Sequence, residues 1–213
     1  MARRRRDTSR LKILMAQESA RIMVEEGVQD FRSAKRKAAF RLAVTDKTAL
    51  PDNAEIEQAL LDYQRLFHAD RQALRLRGLR ETAVEIMRFL ARFRPRLVGP
   101  VLSGATGPHV DIHLHLFADT PTDVLLFLME HHIPFDTTEH RIKLGNGPVC
   151  LPAFRFDANG SRVDLTIFAP LAEREAPRSP VDGRPMRRAS LVEVQALLAE
   201  DWQQTPPPAT PER

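Results

Sequence analysis

The sequence predicts an α+β protein, with an N-terminal helical region followed by a mixed sheet and flanking helices. Three observations carry that reading. Apolar residues recur at helical spacing through the first part of the chain. From Pro95 the runs become short, rich in Val, Ile, Leu and Phe, and bounded by Gly, Pro or Asn. Between two such runs stands Asn159-Gly160, a strong signal for a tight hairpin.

The elements follow in order. Leu11, Leu14, Met15, Ile22 and Met23 mark a first helix with a glycine stop at Gly27. Phe31, Ala34, Ala38 and Leu42 line one side of a second, whose other side is basic. A third starts at Asp52 or Asn53, with Ile56, Leu60, Tyr63 and Phe67 on one face. The fourth turns Leu76, Leu79, Val84, Met87 and Leu90 inward. After Pro95, strands are expected in "RLVGPVLS", "HVDIHLHLF", "HRIKLG", "VCLPAFRF" and "SRVDLTIF". A helix over "TPTDVLLFLMEHH" is opened by Thr120, with Pro121 at its first position and Asp123 in its first turn. Ser190 and Glu193 are spaced as a capping box for a last helix. Residues 1–10 read as a basic flexible arm, 11–93 as the helical region, 94–200 as the α+β domain and 203–213 as a disordered, proline-rich tail.

Hydrophobic content of 43% and charged content of 28% suffice for a proper core. Net charge is +4, concentrated in "MARRRRDTSRLK" and "RSAKRKAAFR". Such basic N-terminal helices can meet nucleic acid through its phosphates, or stand as a solvated surface. Cys150 is the single cysteine, which excludes an internal disulfide and a cysteine zinc cluster, and its apolar run "PVCLPAF" suggests a core position. No run reaches the ~18 apolar residues of a membrane span. The basic N-terminus lacks the apolar stretch and cleavage site of a signal peptide, so the expected address is the cytoplasm with no membrane contact.

The chemistry concentrates in "LVGPVLSGATGPHVDIHLHLFAD". Gly99 and Gly104 permit a tight turn that could bring backbone N–H groups to a phosphate. The following strand places Asp111, His113 and His115 on one face and Ile112, Leu114 and Leu116 on the other. Those three polar groups could hold a divalent cation, or simply form the wet side of a half-covered sheet. Asp164, in "SRVDLTIF", would join them if its strand lies alongside. No P-loop, dinucleotide fingerprint or nucleophile elbow is present. Arg184, Arg187 and Arg188 ahead of the last helix form a candidate anion site or a solvated basic turn.

These residues resemble the signature of the nucleotidyltransferase superfamily, the DNA polymerase beta-like fold. Its members carry Gly-Ser, a second Gly five residues after the first, an Asp-x-Asp strand and a third Asp on a later strand. Gly99 and Gly104 match the glycines, Asp111 the first aspartate and Asp164 the third. Pro100 stands where the family has serine, and His113 where it has the second aspartate. The resemblance covers about residues 95 to 170 and makes 94–200 a nucleotidyltransferase-like domain. It implies metal-dependent nucleotidyl transfer from an NTP to an acceptor, with Asp111 and Asp164 catalytic. Mg or Mn would sit among Asp111, His113, His115 and Asp164, and the Gly99–Gly104 loop with Ser103 would hold the phosphates. The departures at Pro100 and His113 imply the alternative: an inactive module of that fold that binds nucleotide, RNA or a protein partner. The chain also resembles proteobacterial proteins that share "EEGVQDFRSAKRKAA", "QRLF" and "SPVDGRPMRR" and whose relatives are labelled nucleotidyltransferase or UDP-N-acetylmuramate–alanine ligase. The missing P-loop gives the ligase label no support.

Overall fold

The computed structural model describes residues 2–44, 49–67, 69–105, 110–145 and 147–204. The chain divides into two compact units. The first comprises Met1–Ala69, Ala105–Val110 and Ser179–Gly183. It contains α1 (Ala2–Glu25), α2 (Phe31–Arg41) and α3 (Asn53–Phe67). Helix α1 begins at Ala2, so the stretch expected as a flexible arm is helical backbone; arginine is a good helix former and nothing in "ARRRRD" breaks the turn. It ends just before Gly27, which takes a left-handed φ of 67°. Asp30 caps α2 by accepting from the Arg32 and Ser33 N–H groups, and Asp52 and Glu55 exchange hydrogen bonds ahead of α3.

Among the described residues, two small clusters lie in this unit. Met15, Ile22 and Ala38 are buried together, with Val28, Ala39 and Val44 against them. Ala20, Val24, Leu60 and Ala105 form the other, joined by Met23 and Tyr63. Because Ala34 and Ala38 are the buried side chains of α2, that helix contributes little apolar area. Charge supplements it: Arg41 reaches Glu18 and Glu26, and Lys37 reaches Glu26.

The second unit comprises Asp70–Gly104, Asp111–Arg178 and Arg184–Arg213. Helix α4 (Ala69–Phe89) lies almost wholly in it, and a 3-10 turn over Ala91–Phe93 carries the helical stretch to residue 93. Leu79, Ala83, Val84, Ile86, Met87 and Leu90 are buried, and Phe89 and Phe93 pack rings against Phe127, so the partner of this stripe is the α+β core. Next come β1 (Arg96–Val98), the single-turn α5 (Pro100–Ser103), β2 (Ile112–Phe117) and α6 (Pro121–Glu130). β3 (Asp136–Leu144), β4 (Gly147–Ala158), β5 (Ser161–Phe168) and α7 (Leu191–Gln204) complete it. Residues 203 and 204, expected in the tail, close α7; the rest of that tail, 205–213, lies outside the described residues.

The five strands form one mixed sheet in the order β1-β2-β5-β4-β3, flanked by helices. β2 and β5 are parallel, and the other pairs antiparallel. Register puts Leu97, Leu114, Leu165 and Phe154 in one row, all buried. The Asn159-Gly160 hairpin forms as expected, both residues taking positive φ. Thr120 and Asp123 close a full capping box on α6. Cys150 is exposed rather than in the core, because β4 there pairs with β3 alone, beyond the end of β5. Among the described residues, no helix is long and apolar enough to cross a membrane.

Candidate functional site

Strand alternation gives the sheet a second, polar face, and the candidate residues lie on it. β2 and β5 run parallel with His113 beside Asp164 and His115 beside Thr166. β4 then puts Arg155 beside Asp164. β2 starts at Ile112, so Asp111 stands just before the strand rather than in it.

Asp164 is the centre of this face. It is fully buried, yet its Oδ2 accepts from Arg155 Nε at 2.6 Å and lies 3.1 Å from His140 Nε2. Burial alone would push the carboxyl pKa up; hydrogen bonds from His140 and Arg155 outweigh it, and the net shift is below the ordinary value. Its other oxygen, Oδ1, is buried with no hydrogen-bond partner. Arg155 keeps its side chain 42% exposed, so the guanidinium holds Asp164 with one edge while reaching solvent. Sequence reasoning missed Arg155 and His140. Arg155 alternates with Phe154 and Phe156, a visible signal, but nothing in the sequence says which strand lies beside Asp164.

His113 and His115 share the face but not the environment. Desolvation lowers the pKa of His113, with Asp164 and Asp111 pulling the other way. His115 is lowered to about 3 by burial and by the Arg188 charge. Arg188 Nε donates to His115 Nδ1 at 3.0 Å, so that nitrogen keeps its lone pair and the neutral ring carries its proton on Nε2. Arg188 also covers the rings of Phe117 and Phe168 and donates to the Ala172 carbonyl. Burial brings its own pKa down to about 10. Of the three arginines ahead of α7, Arg188 turns to the sheet, while Glu193 takes both the N–H and the hydroxyl of Ser190.

The glycine turn is real, and it is closed. Gly99 has φ 73° and Gly104 φ 85°, both in the left-handed half that favours glycine. A Cβ on Gly99 would stand 3.4 Å from the His113 ring, an ordinary contact, so it is the positive φ that calls for glycine here. The Leu102 and Ser103 N–H groups donate to the Gly99 carbonyl, the Gly104 N–H donates to the Pro100 carbonyl, and Pro100 has none. The phosphate cradle expected at Gly99, Ser103 and Gly104 thus has most of its donors engaged inside the turn. Arg80 secures the turn from behind: buried, it donates to the Val101 and Leu102 carbonyls and pairs with both oxygens of Asp201 at 2.8 Å.

The structure therefore brings His113, Asp164, Arg155 and His140 together, with Asp111 at the edge, and engages His115 with Arg188. Among the described residues, no three His, Cys, Asp or Glu side chains are grouped as a metal ion would require. No family model matches the sequence, no curated protein matches it, and no solved structure matches its fold.

Proposed function

We propose that this protein is a divergent nucleotidyltransferase-like module that binds a nucleotide without transferring it. One observation carries the reading: a guanidinium, Arg155, supplies the positive charge at Asp164. Support for the fold comes from the order of parts: strand, Gly99, one helical turn, Gly104, then a strand whose His113 is in register with Asp164 on a parallel neighbour. A two-metal centre needs several carboxylate oxygens around the cations. Here the second carboxylate is an imidazole and the third carboxylate is ion-paired, so the residues present do not fit that centre. With the loop N–H groups engaged in the turn, the half-exposed Arg155 and the neighbouring histidines are the groups left to meet a phosphate.

A second reading, metal-dependent transfer from an NTP, is favoured by one atom. Asp164 Oδ1 is a buried oxygen without a partner, the kind of acceptor a cation satisfies. Calorimetric titration of the four NTPs, with and without Mg or Mn, separates the two. Binding that needs no divalent ion and weakens at least tenfold in Arg155→Ala is the expected result. Binding that requires the metal and vanishes in Asp111→Ala would replace the first reading by the second. Absence of NTP binding under all conditions overturns both.

A further inference from the structure

Helix α2 presents to solvent a face that the folding of its own unit does not use. Ala34 and Ala38 are its buried residues. Arg32, Arg36 and Phe40 recur every four residues on the other side, flanked by Lys35. Phe40 is 88% exposed, the most exposed of the large apolar side chains among the described residues. The basic residues of this helix fall into two classes. Lys37 and Arg41 are engaged by Glu26 and Glu18, whereas Arg32, Lys35 and Arg36 form no ion pair among the described residues.

We infer that this face, Arg32, Lys35, Arg36 and Phe40, is a docking surface for single-stranded nucleic acid. The argument is charge complementarity combined with one ring. Three unpaired cations on one short helix suit a polyanion, and an aromatic side chain left in water beside them offers a base a stacking platform. Successive members of the row stand about 6 Å apart along the helix axis, so one strand can meet Arg32, Arg36 and Phe40 in turn. A membrane surface fits this face less well. A helix that lies on a bilayer buries a continuous apolar face, and on α2 the alanines point inward while Phe40 is the large apolar residue outside. The sheet face of the second unit takes no part, so this inference and the nucleotide-binding reading stand or fall separately.

The experiment is fluorescence anisotropy of a labelled oligouridine with the full-length protein from 50 to 200 mM salt. Three phosphate contacts on a single strand give a slope of log affinity against log salt of about −2. Arg32→Ala with Arg36→Ala should bring the slope to about −0.7. Phe40→Ala should weaken binding roughly 5- to 100-fold with the slope kept, and Phe40→Tyr should restore it. Since these side chains are outside the buried clusters, circular dichroism melting of all variants should match the wild type; if Phe40→Ala melts early, the Arg36→Gln slope and the Phe40→Tyr affinity decide. Three results would overturn the inference. They are no binding at 50 mM salt, binding indifferent to Phe40, and Phe40-dependent sedimentation with phosphatidylserine vesicles in place of RNA binding.

Discussion

The two units are held by different forces. In the helical unit, α2 buries alanines, and ion pairs such as Arg41–Glu18 and Lys37–Glu26 join it to α1 across partly exposed surface. In the sheet unit, whole rows of Leu, Ile and Phe are buried, and the charged groups there, Asp164 and Arg80, are buried with them. Small buried residues and screened charges stabilise weakly, whereas large apolar side chains stabilise strongly and make any polar group among them depend on its partner. The first arrangement tolerates change on its surface. The second does not tolerate it at its centre.

The largest expected effect tests the sheet core. Leu114→Ala removes a fully buried side chain from the central row and should cost about 3–5 kcal/mol in urea unfolding, against about 1 kcal/mol for Ala38→Gly in the helical unit. Equal losses would break the contrast between the units.

A middle-sized effect lies in pH. His115 has a folded pKa of about 3, below its unfolded value of about 6.5. Between those values the unfolded chain binds the proton first, so the stability of the sheet unit is complete above about pH 6.5 and falls as pH drops towards 3. Asp164 adds a separate loss at lower pH, since its folded pKa is depressed and its contribution disappears as pH falls through that value. His115→Gln, which keeps an acceptor for Arg188, should make the stability curve shallower above pH 4, with the His113 contribution and the acid limb remaining. An unchanged curve would show that burial of His115 does not govern it.

The smallest effect concerns the helical unit. Glu18→Gln loosens the contacts to Arg21 and Arg41 and should cost under about 1 kcal/mol at low salt, less still at high salt. A loss that survives high salt would mean that these pairs act through packing, and would narrow the difference between the two regions.

Much of the architecture was legible because its signals are local. Asn159-Gly160, the Thr120–Asp123 box and the Ser190–Glu193 box act over a few residues and stand where their sequences put them. The alternation in "DIHLHLF" assigned Leu114 to the buried side and His113 to the polar one. Two features were harder to read. "PVLS" folds as a helical turn because Gly99 redirects the chain ahead of Pro100, and α4 joins the sheet unit because its apolar stripe meets Phe127. For α4 the deciding neighbour is remote in sequence, and for "PVLS" the strand signal is too short to compete with the adjacent glycine turn.

The sequence by itself determined the α+β class, the hairpin and caps, and the side of β2 on which His113 and His115 fall. Periodicity and turn chemistry act within a few residues and need no tertiary partner. Only the tertiary structure decided that Arg155 and His140 close on Asp164, that Arg188 takes His115, and that Arg80 locks the glycine turn to Asp201. Those pairings join strands and helices far apart in the chain. Which charges meet depends on strand order and register, and burial then turns each meeting into a strong interaction.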